Sequence, residues 1–460
     1  MARRQKKRSS GKWIIILIFL GMILGGGYLY TAPEFERIAP QITSQSDFYW
    51  NKKTPLKIKL TDNVGLKSFK LVLSDGKTSV IVGQGEFKKG VTERLLSVKY
   101  PKSKLLDPKA KHLKMKITAV DQSLWNTLNG NRSEKIIDIK VDTRRPTINI
   151  LSNSYSITQG GAALVVFYAG DDHLERVYVE AGGNHFKVQP YKQEGYYATL
   201  VAWPFDQKKF EANVVATDEA GNQRTTKVPF YLKPHTYKVS WIRAKDRFID
   251  GKITDLASGD PDYEEVSGRL DKLRAVNETM RLKNEDKIHK LSKEVSDEIL
   301  SQWKVVKFYP LKNGARVASY GDERHYYYGD RSNEVSRSYH VGYDLASTKM
   351  ATIRSSNPGK VVYAGYNGIY GNMPMIDHGF GLYTLYGHCS KVLVEEGESV
   401  EKNQAIAKTG VSGLALGDHL HFGILVQGVE VRPVEWFDAS WIKKNIDNIF
   451  AEADKIIGKN

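Results

Sequence analysis

Four histidines and an aspartate are concentrated in three short motifs, and any fold this chain adopts has to bring those motifs together. The motifs are His340-Val-Gly-Tyr-Asp344, Tyr386-Gly-His388 and Asp418-His419-Leu-His421-Phe422. Four of the 11 histidines of the chain lie in them. His419 and His421 are two residues apart, so on a β-strand both imidazoles face one side. His340 and Asp344 flank a glycine, which places them on a loop entering a strand rather than on a helix. Two imidazoles and one carboxylate form a ligand set suited to a divalent ion such as Zn²⁺. The cluster exceeds a three-ligand catalytic site by one or two groups, and the surplus histidines are candidates for general acid–base work.

The rest of the chain sets the context. Its 460 residues imply about three domains. The net charge of +16 is compatible with nucleic acid, an anionic membrane surface or another polyanion. Apart from the N-terminus, however, the basic residues are dispersed, as on a solvated surface. The single cysteine, Cys389, excludes an intramolecular disulfide framework. Arg3, Arg4, Lys6, Lys7, Arg8 and Lys12 precede an uncharged apolar run from Trp13 to about Tyr30. At roughly 18 residues the run is long enough for one membrane span. It exceeds the usual hydrophobic region of a cleaved signal, and no clear Ala-x-Ala site follows Gly25-Gly-Gly27. The expected reading is an uncleaved signal-anchor with its basic end (1–12) in the cytoplasm, a transmembrane helix at 13–31 and the bulk exported, with a cleaved signal peptide as the alternative. An exported bulk argues against nucleic acid as the partner.

Residues 32–50, with Pro33 and Pro40, read as a tether. Period-two alternation then begins at Leu56-Lys-Ile58-Lys-Leu60 and returns at Phe69-Lys-Leu71-Val-Leu73, Leu113-Lys-Met115-Lys-Ile117 and Ile136 to Val141. The plan repeats after Pro146. Leu56 and Leu164 align without a gap through Leu66 and Leu174, an offset of 108 residues (164 − 56). This gives two tandem β-sandwich modules, 51–142 and 143–235. The Asp218-Glu-Ala-Gly221-Asn222 turn before a last strand resembles bacterial immunoglobulin-like repeats. Asp171, Asp172 and Asp218 are candidates for Ca²⁺, against the plainer reading of Asx turns satisfied by their own backbone. His173 and His185 read as surface or packing residues.

From 236 to 308 the period changes. Val266, Leu270, Leu273, Val276, Met280, Ile288, Leu291, Val295 and Ile299 recur at three- and four-residue steps, predicting one or two amphipathic helices. Lys272, Arg274, Lys283, Glu285, Lys287, Lys290 and an inert His289 fall on the charged face. The arm either packs on a neighbouring domain or serves as a regulatory or partner-binding element. Residues 309–438 return to short strands separated by glycines, predicting an antiparallel sheet with tight turns. A helical tail, 439–460, carries Ile442, Ile446, Ile449 and Ile456 on one packing stripe.

The three metal motifs, with Gly397-Glu-Ser-Val400 to Thr409-Gly410, occur in the order and spacing of the lysostaphin/LytM-type peptidoglycan endopeptidases, which the chain resembles over about 130 residues, 309–438. The resemblance implies a small antiparallel β-sheet with a narrow groove, one Zn²⁺ per chain and cleavage of peptide cross-links in bacterial peptidoglycan. It implies that His340, Asp344 and His421 are the zinc ligands and that His388 and His419 are the non-ligand catalytic histidines. One of these would accept a proton and the other stabilise the oxyanion; the sequence does not divide the roles. Cys389 reads as a small buried residue and His378 as structural. Arg324, in Gly321-Asp-Glu-Arg324, resembles a family arginine upstream of the first ligand, and Asp322 or a substrate carboxylate are its candidate partners. Tyr326, Tyr327 and Tyr328 line the groove or cover the sheet, the second being favoured.

The fold expected is therefore mainly β: a transmembrane helix, two immunoglobulin-like sandwiches, a helical linker and a C-terminal metallopeptidase domain. The function expected is zinc-dependent endopeptidase action on peptidoglycan, at D-alanyl-diaminopimelate cross-links, during wall remodelling or cell-shape control. The expected location is the bacterial inner membrane, single-pass, with the bulk in the periplasm. The alternative is an envelope scaffold in a cell-shape or division complex, whose peptidase domain binds peptidoglycan or activates other hydrolases.

Overall fold

The protein is described here from a computed structural model covering residues 11–44 and 47–459. Arg3, Arg4, Lys6, Lys7 and Arg8 lie outside the described residues. The apolar run forms the helix Gly11–Thr31. Its residues Lys12–Thr31 are apolar and long enough to cross a membrane by length and composition: 20 residues at 1.5 Å per residue span about 30 Å. None of that window is buried.

The chain divides into two compact units, residues 1–145 with 217–222, and residues 146–216 with 223–460. In the first unit the alternation of the sequence becomes alternation of burial. Along His112–Asp121, Leu113, Met115, Ile117 and Ala119 are buried while the lysines between them are exposed. The strand is the central one of a five-stranded sheet ordered Asp47–Trp50, Arg132–Val141, His112–Asp121, Leu66–Ser74, Ser79–Glu86. A three-stranded sheet, Gln41–Thr43, Leu56–Thr61, Glu93–Val98, supplies Ile58, Leu60, Leu96 and Val98 to the same core. The supposed tether is thus partly sheet. Gln41–Thr43 pairs antiparallel with Leu56–Thr61, and Asp47–Trp50 pairs parallel with Arg132–Val141. The reason is apolar: Trp50 is buried, and Ile42 and Phe48 pack on the core.

The second module repeats this strand order. Ala162–Gly170 lies between Thr147–Asn153 and Tyr196–Ala202, as Leu56–Thr61 lies between Gln41–Thr43 and Glu93–Val98. Leu174–Ala181 lies between Asn184–Lys187 and Ala212–Asp218, as Leu66–Ser74 lies between Ser79–Glu86 and His112–Asp121. Of the Ca²⁺ candidates, Asp171 accepts the His173 N–H at 3.0 Å, and Asp218 accepts the Asn222 N–H at 2.7 Å and its side-chain amide at 2.9 Å. The first is an Asx turn, bonding two residues on, while Asp218 closes a wider turn by bonding four residues on.

The arm differs from its sequence reading in three places. It begins with a strand, Val239–Arg243, paired parallel with Asp322–Tyr327. Helical turns follow over Asp246–Ser258 and then over Arg269–Leu291, each with one wide π-type stretch. The second helix ends at Leu291, although the apolar period continues to Ile299. Beyond it, Leu300 pairs with Tyr191, donating its N–H to Pro190 O and accepting from Lys192 N–H; tertiary pairing overrides local periodicity here. Glu285 and His289 are also not on a solvated face. Glu285 is largely buried, and His289 Nε2 lies 2.6 Å from Glu430.

The C-terminal sheet runs Ala315–Ala318, Tyr343–Ala346, Leu420–Val426, Leu382–Gly387, Asn372–Asp377, Gly359–Tyr366, Ser399–Val400, with antiparallel neighbours. One hydrophobic core extends from Val165 and Phe167 of the second module through Phe422 and Ile424 to Ile446 and Ile449 of the terminal helices. Tyr191 Oη donates to Asp454 at 2.7 Å across this junction. The last apolar position of the tail stripe is Ile457, not Ile456. Ile456 is 38% exposed and Ile457 8%, because the π-type stretch Lys443–Asp447 rotates the helix by part of a turn relative to regular spacing.

Candidate metal centre

Strand register builds the centre. Asp344 on Tyr343–Ala346 pairs directly with His421 on Leu420–Val426. His340 is the last residue of Glu334–His340, so it sits on a strand end rather than on the loop expected. Val341-Gly342 turns the chain so that the strand Tyr343–Ala346 starts beside it. Three donor atoms meet: His340 Nε2 to Asp344 Oδ1 is 3.0 Å, His421 Nδ1 to the same oxygen is 2.9 Å, and the two ring nitrogens are 3.1 Å apart. All three residues are buried. Gly342 is required by this closeness, since a Cβ there would lie 2.3 Å from both Cε1 and Nε2 of His421.

The donor set fits a cation. His340 Nδ1 is 2.9 Å from the Ser319 carbonyl. A carbonyl only accepts, so Nδ1 carries the proton and Nε2 presents a lone pair. A carboxylate oxygen and two ring nitrogens then face one point in a buried site, an arrangement that suits a cation at its centre. His340, Asp344 and His421 could together hold one divalent ion.

His388 and His419 stand beside this triad. His388 follows the strand Leu382–Gly387 with φ +64°, in the left-handed region, and its N–H is held by Tyr370 O at 2.7 Å. Its Nδ1 is 2.9 Å from Ser412 O, and His419 Nδ1 is 2.7 Å from Gly417 O. The His388 and His419 ring centroids are 4.8 Å apart. Burial, together with the neighbouring His421 and His419, holds the His388 pKa well below the ordinary imidazole value. Burial pushes His421 down to about 4 against the pull of Asp344. For His419 burial also lowers the pKa, but Asp344, 3.6 Å from Nε2, outweighs it and the net shift is upward. Burial would raise Asp344; the charges and hydrogen bonds of His340, His419 and His421 bring it well below the carboxylate range.

The five residues singled out from the sequence therefore lie together in a groove of about 650 Å³. Arg324 and Tyr326 also line it, Tyr326 contrary to the favoured sheet-covering reading. Tyr328 instead donates to Asp246 at 2.8 Å. His378 is buried elsewhere, with Nδ1 2.8 Å from Pro358 O and Nε2 2.8 Å from Thr384 Oγ1. Cys389 is buried, and burial pushes its thiol up to about 12. Sequence reasoning missed Tyr370, whose ring meets His421 edge-on at 5.3 Å, and the arm residues Lys238, Arg243 and Arg281 on the groove wall. Tyr370 carried a signal, lying between Gly368 and Gly371 in a turn tight enough to bring backbone close to the site. The arm residues carried none.

Residues 338–433 match Peptidase family M23. The chain is 37% identical over 95 residues to DD-carboxypeptidase/endopeptidase Mpg of Neisseria meningitidis serogroup B, covering 21% of this chain and 22% of that protein. It is 38% identical over 96 residues to peptidoglycan DD-endopeptidase ShyB of Vibrio cholerae, covering 21% and 22%. It is 33% identical over 134 residues to peptidoglycan DD-endopeptidase ShyA of the same organism, covering 29% and 29%. The chain thus spans less than a third of the length of each of these relatives. With the geometry above, these similarities identify the C-terminal part of the chain as a domain of peptidase family M23, the metallopeptidases of the LytM and lysostaphin type.

Proposed function

We propose that the protein is a zinc-dependent endopeptidase that hydrolyses peptide cross-links of bacterial peptidoglycan, at the bond between D-alanine and diaminopimelate. The observation that carries this reading is the convergence of His340 Nε2, Asp344 Oδ1 and His421 Nδ1 within 3.1 Å of one another at the floor of an open groove. His340, Asp344 and His421 would hold the ion. Zinc, when bound, supplies a Lewis acid for the scissile carbonyl and lowers the pKa of water toward ~7.

The chain supplies the proton chemistry. The Nδ1 protons of His388 and His419 are committed to backbone carbonyls, so both rings direct Nε2 toward the site, that of His419 lying 3.6 Å from Asp344 Oδ2. One accepts the proton of the attacking water; the other, protonated, donates to the developing oxyanion and then to the leaving amine. The left-handed backbone at His388 fixes its ring without a flexible approach. We further propose that the helix Gly11–Thr31 anchors the chain in the inner membrane with the bulk in the periplasm, where peptidoglycan is the partner and a cell-shape or division complex the setting. The modules and arm then hold the site toward the wall.

The test is digestion of purified cross-linked muropeptide dimers by the zinc-loaded protein. Conversion to monomers, with the new termini identified by mass spectrometry, is the expected result. Intact dimers in the presence of folded protein with one bound zinc would reject the proposal.

A further inference from the structure

The groove has a floor that the metal motifs do not explain. In the sheet Val239–Arg243, Asp322–Tyr327, Glu334–His340, Ser240 pairs with Arg324, Ile242 with Tyr326, and Asp322 with His340. Paired residues share a face, so one continuous surface runs from the metal ligand His340, past Asp322 and Arg324, to Ser240 and Ile242 of the arm. All six of these residues line the groove. The arm is therefore part of the site's own floor.

Its charge is one-sided. The cations lining the groove are Lys238, Arg243, Lys245, Arg281 and Arg324, against the carboxylates Asp322 and Asp344, the second belonging to the metal triad. Arg324 is 20% exposed in its side chain and Asp322 6%. Asp322 is locked on both oxygens: Oδ1 accepts from Ser240 Oγ at 2.7 Å, and Oδ2 lies 3.4 Å from Arg324 Nε. That contact engages Arg324 through Nε alone. Among the described residues its two Nη groups have no hydrogen-bond partner, and Lys238 and Arg243 have no acidic partner. A half-buried guanidinium with an oriented Nε and two idle donors matches the bidentate geometry of a carboxylate. Cations at the rim of a low-dielectric cleft add attraction for the same charge.

We infer that Arg324, oriented by Asp322 in a groove that Lys238 and Arg243 of the arm also line, is a specificity-determining subsite that binds a free carboxylate of the peptide substrate. The ligand class is an extended peptide carrying an unamidated carboxylate on the arm side of the scissile bond. The inference rests on the proposed peptidoglycan reading and makes the arm a substrate-binding wall rather than a plug.

The test uses binding, so that it stands apart from hydrolysis. Purified cross-linked muropeptide dimer and the same dimer with its carboxylates converted to amides are titrated calorimetrically into the chelator-treated full chain, in which no bond is cut. The native dimer is expected to bind about tenfold or more tightly than the amidated one, the scale of one charge-assisted pair. In Arg324→Gln the ratio falls to near one; Arg324→Lys, keeping the charge but not the fork, retains part of it. The exposed double variant Lys238→Ala/Arg243→Ala lowers the ratio and flattens its salt dependence. Equal affinity of the wild type for both dimers, binding of neither, or an unchanged ratio in Arg324→Gln would overturn the inference. Failure of the zinc-loaded protein to cut either dimer would reject the proposed function and leave this comparison intact.

Discussion

His388 and His419 are neighbours beside the metal triad, with ring centroids 4.8 Å apart and each anchored through Nδ1 to a backbone carbonyl, of Ser412 and of Gly417 respectively. His419 Nε2 reaches only Asp344, at 3.6 Å, and neither ring is among the three groups that would hold the ion. Replacing either by alanine should therefore leave zinc content and thermal stability near those of the wild type while lowering kcat by about 10²–10⁴-fold, the range for a positioned acid or base. If the two act as one unit, the double variant should be little worse than the poorer single variant. Steady-state kinetics on muropeptide dimers, with zinc measured on the same samples, checks both statements.

Metal removal should destabilise the protein as well as silence it. Without a cation, a single proton on His421 Nδ1 has to serve both Asp344 Oδ1 and the His340 Nε2 lone pair, at 2.9 and 3.1 Å, in place of the ion. Zinc in excess should raise the Tm of the chelator-treated chain, because it binds the native state only. Asp344→Asn should abolish that response while remaining folded in the absence of zinc. A calorimetric scan with and without the metal distinguishes the outcomes; an equal rise in both proteins would refute the ligand assignment.

Gly342 offers a narrower test of the same geometry. A methyl group there would sit 2.3 Å from His421 Cε1 and Nε2, well inside van der Waals contact, and the imidazole would have to move. Gly342→Ala should lose zinc affinity by at least tenfold with only a modest change in Tm, since the displaced ring belongs to the site rather than to the hydrophobic core. Competition against a zinc-binding dye measures the loss.

These tests depend on features that differ in how far the sequence displays them. The metal motifs are legible because ligand chemistry and strand period act over a few residues: His419 and His421 need only the two-residue repeat to share a face. The alternation of His112–Asp121 is legible for the same reason and survives as buried and exposed positions, whereas Ala162–Gly170 is buried on nearly every residue. What escapes is set by distance. The strand Val239–Arg243 forms because Asp322–Tyr327 offers an edge about 80 residues away, and the helix ends at Leu291 because Leu300 is claimed by Tyr191. Glu285 and His289 belong by period to a charged face, yet packing buries the first and gives the second Glu430 as a partner. Ile456 and Ile457 exchange roles because one π-type stretch, invisible in a 3.6-residue count, precedes them.

Glu435 gives a pH prediction away from the site. Its carboxyl is buried beside the Ala162 N–H, 3.2 Å from Oε2, with Arg432 3.9 Å from Oε1. Burial, outweighing Arg432, raises its pKa from the ordinary 4.5 to about 7. Between those values the folded chain keeps a proton that the unfolded chain releases, so the stability associated with the protonated form is complete below about pH 4.5 and is lost as pH rises through about 7. The loss is on the order of 3 kcal/mol. Glu435→Gln cannot ionise and should be more stable than the wild type at pH 8, with the difference narrowing toward pH 5. Denaturant titrations of both proteins at the two pH values check it; a gap of constant size would mean the carboxyl does not change charge.

Asn284 ties the arm to the catalytic machinery. Its Oδ1 accepts the Ile369 N–H at 2.9 Å and its backbone oxygen accepts the Asn367 side-chain amide at 3.1 Å. The turn so held carries Tyr370, which packs on His421 and whose carbonyl fixes the His388 backbone. Asn284→Leu, with the same branching but no acceptor, should leave the buried Ile369 N–H unpaired at a cost of about 1–3 kcal/mol. It should also loosen Tyr370, lowering zinc affinity and kcat together although Asn284 touches neither metal nor substrate. Denaturant unfolding and zinc titration of one preparation measure the two effects side by side. A stability loss without a change at the metal would show that the turn is held from the sheet side, through Asn372 and Ser412, and that the helix Arg281–Leu291 supports the domain without positioning its site.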